Sequence, residues 1–370
     1  MTLFNTLKIL RINSRKEEDN STNLSNPKDS FTSEKVDNIL QIKKGNNTYL
    51  VPKIIGNRYV INDVLSASSG FGFILIASDK NVFGRKVLIK ATNYKNRIRR
   101  QNLENEEIIK KRRWSIKYEL NVLRYMRILN IPNTPVIRDY IEDYNPTIQW
   151  PDGKVDSGAP LLEEYAYNEP YIVLQYIQGF TLDKLIIEEE NKNSRDWQMF
   201  TLNLAKQLLK FFRKMSRVAV KDEKISSFVY QDLKPENIIV TPSKNIALID
   251  FGGVATITKD GRVLNYGVGT PGYMPPEVAN PSLKSEFNER ADIYTLGMLM
   301  YEMLTGISPS KFLTKDKFTA KVDYSELNCY EELKDIIVKA TQPNPKDRYQ
   351  NTSEMLDDVM DVLNNINLID

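Results

Sequence analysis

From residue 58 onward the chain runs in short apolar stretches. "RYVINDVL" (58–65), "FGFILIAS" (71–78) and "RKVLIKAT" (85–92) are rich in β-branched and aromatic residues and are separated by Gly, Asn or Asp, which predicts an antiparallel meander. Ahead of them, "ILQIKKGNNTYLVP" (39–52) sets two apolar segments around a Gly-Asn-Asn turn and predicts a hairpin. In "KYELNVLRYMRIL" (117–129), Leu120, Leu123, Met126 and Ile128 or Leu129 recur at near-helical spacing. Two further strands, "PVIRDYIE" (135–142) and "PYIVLQYI" (170–177), flank an acidic, turn-rich insertion at 143–169. After Gly179 the period becomes helical in "TLDKLIIEEE", "WQMFTLNLAKQLLKFFRKMSRV" and "EELKDIIVKATQ". "ADIYTLGMLMYEML" (291–304) is apolar nearly all round, the pattern of a buried central helix. The expected fold class is α+β: a small antiparallel-sheet lobe with one helix, then a larger helical lobe, with a junction near 178 and a ligand cleft between them.

The N-terminal region reads differently. Residues 13–38 are polar and are expected to form a flexible tail. Before them, "TLFNTLKILRI" either places Leu3, Phe4, Leu7 and Leu10 on one face of a short helix or frays. The expected division is a tail with a hairpin over 1–56, then a main domain over 57–366 with lobes 57–178 and 179–366.

Composition narrows the chemistry. The 370 residues carry 51 Lys+Arg and 48 Asp+Glu, so a net charge of +3 gives no general pull toward nucleic acid or membrane. There is no histidine, which removes every His-based acid, base or metal site. A single cysteine, Cys329, excludes an internal disulfide and fits a reducing compartment. No apolar run approaches the ~20 residues that span a bilayer. The first residues lack a signal-peptide pattern, so a cytoplasmic location with no following anchor is expected.

Four separated elements carry candidate chemistry. Lys90 ends the apolar strand "VLIK", where its ammonium can hold phosphate oxygens. Glu119 lies on the next helix and can pair with it; Glu104, Glu106 and Glu107 are rivals placed early relative to the apolar stripe. "DLKPEN" offers Asp232 to accept a hydroxyl hydrogen bond, Lys234 to neutralise phosphate charge and Asn237 as an oxygen ligand for metal. "NIALIDFGGV" (245–254) puts Asp250 at a strand end, followed by Phe251 and Gly252. Hard oxygen donors of this kind suit Mg²⁺, which uses few carboxylates and completes its shell with phosphates and water.

Lys, helical Glu, the Asp/Lys/Asn loop and Asp-Phe-Gly, in that order, make the chain resemble a eukaryotic-type (Hanks-type) serine/threonine protein kinase over roughly residues 57–366. The resemblance implies the bilobal kinase fold, ATP and Mg²⁺ as cofactors, and a protein substrate with a Ser or Thr acceptor. It implies that Asp232 and Lys234 are catalytic, that Asn237 and Asp250 hold metal, and that Lys90, braced by Glu119, holds the α- and β-phosphates. "IVLQYIQGFTL" (172–182) resembles the hinge, with Leu174 at the back pocket and the backbone of Gln175 and Ile177 toward adenine; Ile74 and Ile239 are the implied walls. "GTPGYMPPE" (269–277) resembles the end of an activation segment, with Thr270 implied to contact Asp232 and Lys234. Asp292 is implied to brace the catalytic loop, and Glu277 to pair with Arg348.

Three departures stand out. In "LSASSGFGF" (65–73), Gly72 matches the last glycine of the phosphate loop, Ala67 and Ser69 replace the first two, and Gly70 compensates in part. Leu88 stands where the family has a small alanine. Tyr230-Gln231 replaces His-Arg, so Gln231 lacks the charge that pairs with a phosphorylated activation segment. Activity is therefore expected to depend little on such phosphorylation, with Thr256, Thr258, Tyr266 and Thr270 as the hydroxyls at issue. The basic segment 94–117 reads as a solvated helix face or a docking site for an acidic partner. A nucleotide-binding scaffold without transfer and a small-molecule kinase are the alternative functions.

Overall fold

The structure, a computed structural model, describes residues 38–69, 72–95, 97–98, 104–155, 165–218 and 224–368. The expected N-terminal helix, the tail up to residue 37 and Gly70 lie outside these residues. The described chain falls into two compact units, 38–125 with 135–176, and 126–134 with 177–368.

The first unit contains β1 (Ile39–Lys44), β2 (Asn47–Pro52), β3 (Ile54–Ile55), β4 (Tyr59–Ser69), β5 (Gly72–Asp79), β6 (Arg85–Ala91), most of α1 (Asn105–Ile128), β7 (Ile137–Asp143), α2 (Pro146–Gln149) and β8 (Glu169–Gln175). The expected hairpin is β1 paired with β2. The main sheet has the order β3-β4-β5-β6-β8-β7 and is antiparallel throughout. Alternation places Phe73, Leu75 and Ala77 of β5 with Val87, Ile89 and Ala91 of β6 in one core. Gly72 is required where β5 begins: its φ is +151°, and a Cβ would stand 2.1 Å from the Ala91 carbonyl oxygen.

Two features differ from the sequence reading. Helix α1 starts at Asn105, well before 117. Ile109, Ile116, Leu120 and Leu123 continue one buried stripe beneath the basic run, and Glu106 and Glu107 in the first turn suit the helix dipole. The ends of the 143–169 insertion are core rather than loop. Tyr144, Ile148, Trp150 and Ala166 form a second apolar cluster with Ile39, Leu50, Tyr94 and Ile109. Asn145 caps α2 by accepting from the Thr147 N–H, with Pro146 at the start.

The second unit contains β9 (Phe180–Thr181), α3 (Leu182–Glu188), α4 (Arg195–Met215), β10 (Ile225–Val229), β11 (Ile238–Val240), β12 (Ile246–Leu248), β13 (Ala255–Thr258), β14 (Val263–Leu264), α5 (Pro276–Ala279), α6 (Arg290–Thr305), α7 (Glu331–Ala340) and α8 (Thr352–Leu368). Small sheets of order β12-β11-β9 and β10-β13-β14 accompany the helices. Helix α6 is the buried axis that its sequence predicts, with 13 buried residues. The Trp197 indole N–H of α4 donates to the Met303 carbonyl of α6 at 2.6 Å. At Gly297 of α6 a Cβ would meet Thr341 at 2.6 Å and Ala340 at 2.9 Å, so glycine sets the approach of α7.

Glu277 of α5 and Arg348 form a fully buried, two-pronged ion pair at 2.7 and 2.9 Å. The guanidinium also donates to the carbonyls of Gln342, Arg290 and Pro343. With each polar atom satisfied, the cost falls on whoever is left behind when one partner goes. Arg348→Met should lower the unfolding free energy by about 3–5 kcal/mol in chemical denaturation. A loss below about 1 kcal/mol would show that the buried pair is not a structural anchor.

Candidate active site

Lys90 occupies the second-last position of β6. Its register partners are Ile74 on β5 and Ile172 on β8, while Leu88 lies opposite Ile76 and Leu174. Ile74, Leu88, Lys90 and Leu174 therefore share the sheet face opposite the core of Val87 and Ile89. Lys90 is 8% exposed and its ammonium donates to the Glu119 carboxylate at 2.5 Å; Glu119 is 1% exposed. Of the four candidate glutamates, Glu119 is thus the partner, and Glu106 pairs instead with Lys110 one turn away.

Residues 230–237 are fixed from below and from the side. The buried Asp292 carboxylate accepts the backbone N–H groups of Tyr230 and Gln231, both at 2.9 Å. Burial pushes Asp292 up to about 7, while those two donors pull it down. Gln231 has φ 66°, and the N–H of Asp232 reaches back to the Tyr230 carbonyl at 2.9 Å. A non-glycine residue in this region costs about 1–3 kcal/mol and needs its surroundings to hold it. The Asp232 carboxylate accepts from the Thr270 hydroxyl at 2.6 Å and from the Asn237 amide at 3.3 Å. Asn237 also donates to the Asp232 carbonyl at 2.8 Å. Lys234 donates to the Thr270 hydroxyl at 3.0 Å and lies 3.6 Å from the Asp232 carboxylate.

Asp250 follows β12, whose partner β11 follows Asn237. The Ile249 N–H donates to the Asn237 carbonyl at 3.0 Å, which sets Asn237 and Asp250 at neighbouring strand ends. Asp250 accepts from the Gly252 N–H at 3.1 Å. The Asn237 amide nitrogen is engaged by Asp232, which leaves its oxygen as the atom for a cation. An amide oxygen and a carboxylate are the hard, sparse donor set that suits Mg²⁺ bound together with phosphates. Among the described residues, no cluster of three or more Asp, Glu, His or Cys forms a complete protein-made metal site.

A profile of the family described as "Protein kinase domain" matches residues 82–365. The chain belongs to the protein kinase family. It is 33% identical over 211 residues to the "Probable serine/threonine-protein kinase" of Clostridium acetobutylicum, covering 54% of this chain and 29% of that one. It is 27% identical over 208 residues to the serine/threonine-protein kinase PknB of Mycobacterium tuberculosis, covering 53% and 30% respectively. These matched segments span about 30% of those relatives' length.

Seen as a kinase, its altered residues acquire partners. Tyr230 packs edge-on against Phe251 at 5.6 Å and against Phe211 at 6.1 Å, so a large aromatic ring fills the family's histidine position. The Gln231 side-chain amide donates to the carbonyls of Gly253 at 2.6 Å and Asn265 at 2.9 Å and accepts from the Gly267 N–H at 3.2 Å. Asn265, at φ 59°, donates in turn to the carbonyls of Gly252 and Val254. Neutral hydrogen bonds to main chain thus occupy the position of a charge. Of the candidate phosphosites, Thr256 is buried. Tyr266 donates its hydroxyl to the Glu277 carbonyl and stacks edge-on with Phe287.

Other sequence candidates are placed as follows. Ile74 is half-buried; Gln175 ends β8 and donates its N–H to the Val136 carbonyl at 2.9 Å; Ile177 opens the longer segment of the second unit. Leu174 and Ile239 are buried in separate units. Within the basic run Arg113 is tied internally to Glu169 and Arg112 is half-buried, while Lys110 and Lys111 are exposed. Sequence reasoning missed Arg113, Glu169, Tyr94 and the amide role of Gln231. Only the unpatterned Glu169 before Pro170, an acid opening an apolar strand, offered a signal.

Asp292→Ala should leave two buried N–H groups without acceptors, at about 1–3 kcal/mol each in denaturation. A stability within about 0.5 kcal/mol of wild type would mean that the loop does not depend on this carboxylate.

Proposed function

We propose that the chain is an ATP- and Mg²⁺-dependent protein serine/threonine kinase that transfers the γ-phosphate to a Ser or Thr hydroxyl, with little dependence on activation-segment phosphorylation. The observation that carries the reading is the Asp232 cluster: a carboxylate held by Thr270 and Asn237, with the Lys234 ammonium beside it. Asp232 accepts the hydrogen bond of the substrate hydroxyl and aims its oxygen. Lys234 places positive charge beside the oxygens that gain charge during transfer. Lys90, its ammonium fixed by Glu119, holds the α- and β-phosphates, and Asn237 and Asp250 hold metal. Bound ATP and Mg²⁺ supply the phosphoryl group and the charge neutralisation. Catalysis by the chain itself is then positioning plus preorganised electrostatics.

The reading includes adenine contacts from Gln175, Ile177 and Ile74, a phosphate loop using Gly70 and Gly72, and a cytoplasmic setting suited to the unpaired Cys329. An acidic partner at 94–117 would meet the exposed Lys110 and Lys111 rather than Arg113, whose charge is matched within the fold. Asp232→Asn and Lys90→Met should each reduce transfer from γ-labelled ATP to a generic acceptor such as casein by at least ~100-fold, the scale of losing a placed catalytic group. Transfer at the wild-type rate in either variant would refute the assignment of that residue, and no transfer by the wild-type chain would favour a nucleotide-binding scaffold.

Independence from phosphorylation is supported by the Gln231 amide, whose three main-chain bonds need no added charge. Thr258→Ala with Tyr266→Phe removes two hydroxyls while keeping the Tyr266 ring. This double variant should keep at least half of the wild-type rate, whereas Gln231→Ala should lose about ten-fold, the effect of ~1.4 kcal/mol. The reverse ranking would restore phosphorylation as the activating event.

A further inference from the structure

Helix α1 is attached to the sheet that carries Lys90 at two places, on β6 and on β8. One is the Lys90–Glu119 pair. The other lies about 9 Å along the helix, six residues earlier at 1.5 Å each. There Arg113 forms an ion pair with Glu169, the first residue of β8, and donates to the carbonyls of Tyr165 at 2.7 Å and Tyr167 at 3.3 Å. Glu169 is 1% exposed. Its other oxygen accepts from the hydroxyl of Tyr94, which is fully buried and lies just past the end of β6. Burial pushes Glu169 up, and Arg113 and Tyr94 pull it back toward the charged form.

These contacts close a ring: Lys90, the strand end to Tyr94, Glu169, Arg113, the helix to Glu119, and back to Lys90. The insertion reinforces the corner at Tyr94. Asn145 donates to the Thr92 carbonyl at 2.8 Å, and the Tyr94 N–H donates to the Thr147 hydroxyl at 3.1 Å. One tether would let the helix turn about its contact; two tethers on different sides of it fix both its rotation and its slide. An apolar contact would hold the helix close without setting its rotation, whereas a buried carboxylate shared by two donors sets it.

We propose that Arg113 and Glu169 are positioning residues for Lys90: with the segments 143–150 and 165–169 they form a built-in brace that keeps Glu119 on the Lys90 ammonium without a partner protein. The proposal rests on the reading of Lys90 and Glu119 as the phosphate-holding pair. The brace is carried by side chains that no part of that reading uses.

The test uses the full chain and four variants: Arg113→Met, Arg113→Lys, Glu169→Gln and Glu119→Gln, with Arg113→Met also made in the Glu119→Gln background. Transfer from ATP to casein and amide hydrogen exchange across 105–128 are both measured. Arg113→Met should lower kcat about ten-fold with KM for casein unchanged, should add no loss on top of Glu119→Gln, and should speed exchange in α1 but not in α6. Arg113→Lys should restore part of kcat, since it keeps the charge but lacks the fork to the two carbonyls. Should Arg113→Met not fold, Glu169→Gln decides by the same readouts. Unchanged kcat with unchanged α1 exchange, or an equal fractional loss in both backgrounds, would overturn the brace. A full wild-type rate in Glu119→Gln would instead refute the kinase reading of the Lys90 pair, and the exchange result would still judge the brace alone.

Discussion

The Asp292 carboxylate is the constraint on which the second unit depends. It is buried on the mainly apolar helix α6, and it accepts two consecutive backbone N–H groups. A carboxylate in that place is costly unless fully hydrogen-bonded. Those two bonds hold Gln231 in the left-handed region, and that backbone turn sends Asp232 one way and the Gln231 amide another. The catalytic candidate and the tie to residues 253–267 are therefore consequences of one kink. Phe251, Tyr230 and Phe211 pack around its apolar side, so the strained residue has rigid neighbours.

The first unit solves a similar problem with different chemistry. A lysine in an apolar strand face would snorkel toward water if left alone. Glu119 meets it instead, at the level where the α1 stripe of Leu120 and Leu123 sinks into the core. Charge and packing agree on the same helix rotation. The neighbouring Arg113–Glu169 pair is built from the basic run and the insertion, the two stretches whose sequence carried the least pattern.

Most of the architecture was legible because it rests on period. Alternation in β5 and β6 and the near all-round apolarity of α6 need no tertiary knowledge, and of the residues that cluster around Asp232, Lys234 and Asn237 lie with it in "DLKPEN". What stayed hidden depends on contacts between segments far apart in sequence. Arg113 looks like one more solvated charge until Glu169, 56 residues on, closes over it. The start of α1 was obscured because long Lys and Arg side chains dominate the segment where Ile109 and Ile116 alone mark the buried stripe. Gln231 could be read for the charge it lacks, but not for the three main-chain groups it would reach.

That last point changes how the Tyr230-Gln231 departure should be understood. An arginine in the position of Gln231 would be a cation awaiting an anion, and its effect would vary with whether a phosphate is present. An amide carries a donor and an acceptor at once, so it can satisfy carbonyls and an N–H of the segment without any external partner. Such bonds are weaker individually, about 0.5–1.5 kcal/mol net each, but they are permanent. Tyr230 follows the same logic: it stands in place of a titratable imidazole and packs its ring edge-on against Phe251 and Phe211. On the proposed reading, the pair removes a charge-dependent switch at this loop while Tyr230 keeps this ring packing. On the same reading, the internal tie of α1 through Arg113 and Glu169 would be a second device in this chain that needs no partner.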